Sequence, residues 1–436
     1  MDNYHINQCL INGDLLPGVL PNRDNLQTIR FVFEQNFGLP KLPSEPGVIL
    51  VRGPRQYGKS TWLEQQIALT IKEFGKGTAL YLNGDEIRDT IQLMEEIRVL
   101  IGLFSKSNIK RLFIDEITAI QDWQKAIKRL IDAGELKNIL LITTGSKASD
   151  LRRGIERLPG RKGKLERTNY IFTPISYQNF KNTCGDFFKS NTLFAYILSG
   201  GSPIGANALA DTGRLPEYVT EIINDWVFGE FAASGRSRSH LLAIVQSLYR
   251  MACTPVGQAK LARESGLANN TMAQGYIELL ADLMTVIPSF PFDTDRNISL
   301  FRKPCKYHFT NLLMAICWHP KKPRTIDELK QLSGADLAAI FEWTVAQELW
   351  RRLCVAKSQD VPDHLNFWQS KEHEIDFVLP DEQIYIEVKS GKSAATDFIW
   401  FLKSFHQARL TVINQSTFET ERITGISLEN FLLAGP

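Results

Sequence analysis

The stretch 50-LVRGPRQYGKSTWLEQQI-67 decides how this chain is read. An apolar run ends at Gly53, a short loop follows, and Gly58-Lys59-Ser60 opens a segment with helical spacing. The pattern is G-x-x-x-x-G-K-[ST], and its place between a strand and a helix makes it a phosphate-binding loop. Glycines let backbone N–H groups approach phosphate oxygens, and the helix N-terminus adds partial positive charge. Gly53, Pro54, Arg55, Gln56, Tyr57, Gly58, Lys59, Ser60 and Thr61 are therefore expected to line an ATP site. Lys59 is expected to reach the β and γ phosphates, and Ser60 to ligate Mg²⁺.

A site of this kind needs an acid at the tip of an apolar strand. The run 111-RLFIDEIT-118 supplies two in succession. Asp115 is placed to hold Mg²⁺, and Glu116 to orient or deprotonate the attacking water. A single acid would suggest binding with little turnover, so the pair favours hydrolysis. A strand and helix, 78–104, lie between the two motifs. This fits the ATPase division with an extra strand between the phosphate-loop strand and the acid strand. The next strand ends in Thr143-Thr144-Gly145-Ser146, where Thr144 or Ser146 is expected to sense the γ phosphate.

The surrounding pattern supports a parallel sheet with helices on both faces. Strand-like runs at 47–52, 78–83, 110–116, 139–146 and 169–174 alternate with helix-like runs near 59–74, 86–104 and 121–134. Nearly continuous apolar strands taking turns with helices are the mark of an α/β sheet buried on both sides. Residues 1–46 are polar, with one helix expected near 24–36. After Pro174 the alternation stops, and 177–235 reads as helical and irregular.

Composition sets the wider bounds. A chain of 436 residues with 44% hydrophobic and 22% charged residues reads as a soluble protein of two or three domains. No apolar run reaches the roughly 18 residues of a membrane span, so no membrane partner is expected. The N-terminus lacks a basic region followed by an apolar core, and a cytoplasmic location is expected. Cysteines 9, 184, 253, 305, 317 and 354 are scattered, with no CxxC pair to suggest zinc or a disulfide framework. The net charge of +2 does not mark a nucleic-acid binder, although 152-RRGIERLPGRKGKLER-167 is a local basic patch.

Residues 238–290 read as three helices and a strand. Within them, 258-QAKLARESGLANNTMAQGYIELL-280 has the grammar of a helix-turn-helix. Asn270, Thr271, Gln274 and Tyr276 would start a recognition helix, with Lys260 and Arg263 near the nucleic-acid backbone. That helix has no Lys or Arg and carries Glu278 and Asp282, which weakens direct base reading. The stretch 291–307 suits a β wing followed by linker.

The C-terminal part reads as a second α/β unit, built on a long helix, 341-FEWTVAQELWRRL-353, and strands at 364–370, 374–380, 384–390 and 409–414. Glu387 and Lys389 are two apart and share one strand face, and Asp376 on the partner strand of a hairpin can approach them. Asp…Glu-x-Lys is the constellation of restriction-endonuclease-like, PD-(D/E)xK, domains. There two carboxylates bind a divalent metal and the lysine helps activate water. Glu348 or Glu342 on the preceding helix is placed to add a third carboxylate.

The series GPRQYGKST, FIDEI followed by 121-QDWQ-124, ITTGS, 160-GR-161 and 173-TPISYQNF-180 resembles AAA+-related ATPases of archaea and bacteria. The pattern E-I-D-F…I-E-V-K-S resembles the nuclease-like domain of the same family. The resemblance covers roughly residues 30–430. It implies an ATPase core, a winged helix and a C-terminal nuclease-like domain. It also implies an arginine that reaches the γ phosphate of a neighbouring subunit in a homo-oligomer. Arg161 is the first candidate for that finger, beside Arg152, Arg153 and Arg157.

The expected organisation is an N-terminal segment, 1–46; a P-loop ATPase core, 47–176; a helical lid or linker, 177–235; a winged helix-turn-helix, 236–307; a linker, 308–332; and a PD-(D/E)xK-like domain, 333–436. The expected function is Mg²⁺-dependent ATP binding and hydrolysis coupled to a DNA-binding or nuclease-like module. Two rivals stand beside it: a nucleotide-gated switch that holds a protein partner with little turnover, and an ATP-regulated nuclease using a second divalent metal.

Overall fold

The computed structural model describes residues 2–145, 164–356 and 362–434. Ser146, Arg152, Arg153, Arg157 and Arg161, named above as candidates, lie outside the described residues. The chain divides into two units, one of residues 1–173 with 354–361, the other of 174–353 with 362–436.

In the first unit, strands β1 (Gly47–Arg52), β2 (Ala79–Asn83), β3 (Arg111–Asp115), β4 (Leu140–Gly145) and β5 (Asn169–Ile171) form one parallel sheet in the order β2-β3-β4-β1-β5. Alternate residues serve opposite faces. Ile49, Val51, Tyr81, Phe113 and Ile142 pack on one side with Trp62, Leu63 and Ile67. Val48, Leu50, Leu80, Leu82, Leu112, Ile114 and Leu141 pack on the other with Leu93, Ile97, Trp123 and Ile127. Burial on both faces explains the near-continuous apolar strands, each large side chain contributing about 1.5–3 kcal/mol. The five strands and the α/β class match the sequence reading. The strand that separates β1 from β3 in space is β4, however, while β2 from the intervening 78–104 segment forms the sheet edge.

The N-terminal segment departs from expectation. The helix expected near 24–36 is absent; the chain there makes a single turn of helix at Pro21–Asp24, a 3₁₀ turn at Asn25–Gln27, and then irregular structure. A helix instead forms at Asn3–Asn12, started by Asp2, whose side chain accepts from His5 N, and stopped by Gly13 in the left-handed region. This helix covers the edge strand β2. Tyr81 N donates to Asn7 Oδ1 at 2.8 Å and Asn7 Nδ2 donates to Tyr81 O at 2.6 Å. One turn earlier, Asn3 makes the same pair with Asn83, at 2.6 and 3.3 Å. Two asparagines at i and i+4 thus satisfy backbone groups that an open sheet edge would expose.

In the second unit, residues 174–233 make four helices, Tyr177–Phe188, Thr192–Ser199, Pro203–Thr212 and Glu217–Ala233. Helices Arg238–Arg250, Gln258–Glu264 and Asn270–Asp282 follow in helix-turn-helix order. The last is capped by Asn269, whose side chain accepts from Met272 N. The stretch expected to hold a wing contains β6 (Val286–Asp293), β7 (Ile298–Ser299) and β8 (Lys306–Phe309), with both shorter strands antiparallel to β6. Residues 308–332, expected as linker, instead hold the end of β8 and two helices, Leu312–Trp318 and Ile326–Lys330. Leu312 through Cys317 are buried without interruption, which no solvated linker is.

The C-terminal strands are β9 (Leu365–Gln369), β10 (Glu374–Ile375), β11 (Phe377–Leu379), β12 (Ile384–Val388), β13 (Arg409–Ile413), β14 (Phe418–Glu419) and β15 (Ile423–Ile426). Strand β9 pairs in parallel with β6, so the strands that follow the helix-turn-helix segment and the start of the C-terminal region share a sheet. The chain changes sheets at Asp376: β10 pairs with β9, and β11 pairs with β12. Strands β11 to β15 form a second sheet in the order β11-β12-β13-β15-β14.

Candidate functional site

The first site is assembled at the C-terminal end of the parallel sheet. Strand β1 runs into Gly53. An added Cβ there would lie 2.7 Å from both Cβ and O of Phe172, so glycine is required by packing behind the loop. Gln56 and Gly58 hold φ of 64° and 100°, the left-handed region that Gly58 adopts at little cost. The helix Lys59–Phe74 then begins with no side-chain cap. A helix start without a side-chain cap is one whose first N–H groups can receive an anion.

Lys59 is buried, and its Nζ donates to Gly53 O at 3.0 Å and Pro54 O at 2.9 Å. Burial lowers its pKa, opposed by the Glu116 and Asp115 carboxylates. Arg55 and Gln56 are exposed, whereas the Tyr57 side chain is fully buried among Trp62 and Phe172. Tyr57 therefore offers a ligand its backbone only. Ser60 and Thr61 are partly buried at the helix start.

Asp115 ends β3 beside Thr144 of β4, and the Thr144 hydroxyl donates to Asp115 Oδ1. Burial raises the Asp115 pKa, while hydrogen bonds from Thr144 and Ser60 pull the other way. Ser60 and Asp115 are thus brought together, two oxygen donors suited to a hard divalent cation. Glu116 takes φ 47° and ψ 42°, a left-handed conformation costly for a residue with a Cβ. Its N–H donates to Asp115 Oδ1 at 3.1 Å and to Thr144 Oγ1 at 3.3 Å. The strained turn lets successive acids take different directions. Gly84, which sequence reasoning missed, makes room for that turn: a Cβ there would lie 2.5 Å from the Glu116 carbonyl oxygen.

The recognition-helix candidates divide. Asn270, Thr271 and Gln274 are exposed, as are Lys260 and Arg263. Tyr276 is not available to a groove. It is buried beneath Arg236, accepts from Ser237 N at 2.8 Å and donates to Ser237 O at 3.2 Å.

The C-terminal constellation forms in part. Lys389 Nζ lies 2.5 Å from Glu387 Oε1, Asp376 N donates to Glu387 Oε2 at 3.3 Å, and Asp376 Oδ2 accepts from Val388 N at 2.9 Å. Glu348 does not join them. Its buried carboxylate is held by Arg351 at 2.7 Å and Arg352 at 2.7 Å on its own helix. Glu342, six residues earlier and so on another helical face, is the acid that faces the cluster.

Lys306 of β8 was not foreseen. Its side chain is completely buried, with Nζ 2.6 Å from Glu374 Oε1, 2.8 Å from Asp376 Oδ1 and 3.5 Å from Glu342 Oε1. Burial works against its charge, but the three carboxylates outweigh it and hold its pKa well above the usual value. Burial, with Asp376 adding to it, pushes Glu342 and Glu387 up to about 8. His308, two residues on, lies 3.7 Å from Glu342 and is kept neutral by burial and by Lys306. Lysine and histidine at alternate positions of a short strand ordinarily suggest a solvated face, so nothing local signalled this cluster. Among the described residues, no group of three or more His, Cys, Asp or Glu is arranged to hold a metal ion. No helix among them is long and apolar enough to cross a membrane.

Residues 45–181 match the AAA domain family, and residues 337–431 match a domain of unknown function, DUF4143. An uncharacterized protein of Methanocaldococcus jannaschii, MJ1544, is 30% identical over 161 residues, 36% of this chain and 33% of that relative. The chain therefore spans about a third of the length of the curated relative it matches. Among solved structures, the Walker-type ATPase PABY2304 of Pyrococcus abyssi aligns with a TM-score of 0.43 at 13% identity, over 62% of this chain and 90% of that one. A point variant of Thermotoga maritima RuvB gives 0.32 at 16%, over 56% and 82%. Cdc6p of Pyrobaculum aerophilum gives 0.27 at 15%, over 66% and 91%. With the five-stranded parallel sheet and its phosphate loop, the family match identifies residues 45–181 as an AAA-type P-loop ATPase domain.

Proposed function

We propose that this protein is a Mg²⁺-dependent ATPase whose nucleotide state drives or times a change in its second unit, with DNA as that unit's ligand. The observation that carries the reading is the convergence of Lys59, Ser60, Asp115, Glu116 and Thr144 at one end of the parallel sheet. Lys59 would exchange the Gly53 and Pro54 carbonyls for the β and γ phosphates. Ser60 and Asp115 would hold Mg²⁺, which supplies charge neutralisation on the phosphates. Thr144 fixes the Asp115 carboxylate, and Glu116 would accept the proton of the attacking water. The first-turn N–H groups would receive phosphate oxygens. In a homo-oligomer, Arg161, or Arg152, Arg153 or Arg157, would reach a neighbour's γ phosphate.

Support for DNA comes from the helix-turn-helix order, its wing, and the exposure of Asn270, Thr271, Gln274, Lys260 and Arg263. The test is ATP turnover by the full chain with and without single- and double-stranded DNA. Stimulation by either form supports the reading. ATP binding without turnover under every condition overturns it.

A second reading is a nucleotide-gated switch that holds a protein partner. It is favoured by the candidate recognition helix, which lacks Lys and Arg and engages exposed Gln274 with Glu278 at 2.7 Å. Salt separates the two, since DNA binding weakens steeply as salt rises.

A further inference from the structure

The C-terminal fold position raises the question of a second divalent metal. In a metal-dependent phosphodiesterase of this geometry, the cation sits among carboxylates and lowers the pKa of its bound water. Here the place among Glu342, Glu374 and Asp376 is filled by an ammonium. Lys306 Nζ is within 2.6, 2.8 and 3.5 Å of the three carboxylates, and the side chain has no exposed surface. The donor set does not fit a metal: a divalent ion in contact with Asp376 or Glu342 would meet a buried positive charge at close range. Lys306 has no solvent-facing position to which it could withdraw without leaving a buried carboxylate unpaired.

We propose that Lys306 is a resident cation standing in for the divalent metal, so that this region binds no metal and does not cut nucleic acid. An ammonium has filled donors and no open coordination position, so it activates no water as a Lewis acid does. Its charge is balanced from within. Glu374, Asp376 and Glu342 surround Lys306 at 2.6, 2.8 and 3.5 Å, and Glu387 pairs with Lys389 at 2.5 Å. The lysine comes from wing strand β8, whereas Glu374 and Asp376 flank the switch between C-terminal sheets. The cluster thereby locks the wing to the C-terminal strands, which assigns this region a structural and binding role. The inference stands apart from the ATPase reading, because its test uses no nucleotide.

The test is Mn²⁺ titration of the full chain in the absence of nucleotide, read by electron paramagnetic resonance. Wild type and Asp376→Ala are expected to bind the same number of ions, and Lys306→Ala to gain one site that Lys306→Ala/Asp376→Ala lacks. In parallel, wild type is expected to leave single- and double-stranded DNA intact in Mg²⁺ or Mn²⁺. A wild-type ion lost in Asp376→Ala, or cleavage abolished by it, overturns the proposal. So does a folded Lys306→Ala protein that gains no site. If Lys306→Ala does not fold, the comparison of wild type with Glu387→Gln, by ion count and cleavage, decides.

Discussion

Thr144 donates its hydroxyl to Asp115 Oδ1, joining the ends of neighbouring strands β4 and β3. The bond aims a buried carboxylate whose pKa is raised by burial, and the same hydroxyl oxygen accepts from Glu116 N. Thr144→Val should remove this support with little change in volume. We expect ATP turnover to fall about tenfold or more and stability to drop by about 1–3 kcal/mol, the cost of leaving a buried acceptor unmet. Thr144→Ser should restore turnover. Steady-state kinetics with chemical denaturation checks both, and a Thr144→Val protein with normal turnover excludes the assigned role.

Lys59 and Glu116 should separate binding from chemistry. Lys59→Ala is expected to abolish ATP binding. Glu116→Gln is expected to retain it while slowing hydrolysis about 100-fold or more, the scale of a lost general base. Fluorescent-nucleotide titration and phosphate release measure the two effects independently. Normal hydrolysis by Glu116→Gln would remove Glu116 from the mechanism.

The asparagines of the first helix make a stability prediction. Asn7 exchanges two hydrogen bonds with Tyr81 of edge strand β2. Asn7→Leu is isosteric enough to fit but leaves a backbone N–H and C=O unmet, at about 1–3 kcal/mol each. We expect a lower denaturation midpoint and faster aggregation through the uncovered edge, followed by light scattering. An unchanged midpoint would show that water replaces the cap.

The carboxylate cluster predicts a pH dependence. Burial raises the folded-state pKa of Glu342 and of Glu387 to about 8, far above that of an unfolded carboxyl. The folded state therefore holds more protons between about pH 4.5 and 8, and stability contributed by these groups falls as pH rises through that window. The groups facing them are Lys306, Asp376, Glu374, Cys253 and His308 for Glu342, and Asp376, Lys389 and Lys306 for Glu387. Glu342→Gln should flatten the profile, measured as denaturation midpoint against pH. A wild-type midpoint that climbs from pH 5 to 8, with the same slope in Glu342→Gln, would show that Glu342 is not shifted upward.

The glycine-containing loop between strand and helix, the strand ending in two acids and the alternating α/β core were legible from the chain alone. Their signals are local: a glycine spacing, a strand ending in two acids, and apolar runs of strand and helix length. Such patterns follow from the two side-chain periodicities and from what one short segment can do with its own backbone. The cover of the sheet edge was not legible, because Asn7 finds its partner 74 residues away in Tyr81. Nor was the choice of Glu342 over Glu348, since both lie on one helix and only its packing decides which face meets Asp376. Lys306 is the sharpest case. It meets Asp376 across 70 residues, and its charge is tolerated in the interior only because tertiary structure brings three carboxylates around it. Local sequence thus set the strands and helices of the parallel α/β core. Long-range pairing of buried charges and hydrogen bonds, whose energies depend on partners distant in the chain, decided what occupies the second site.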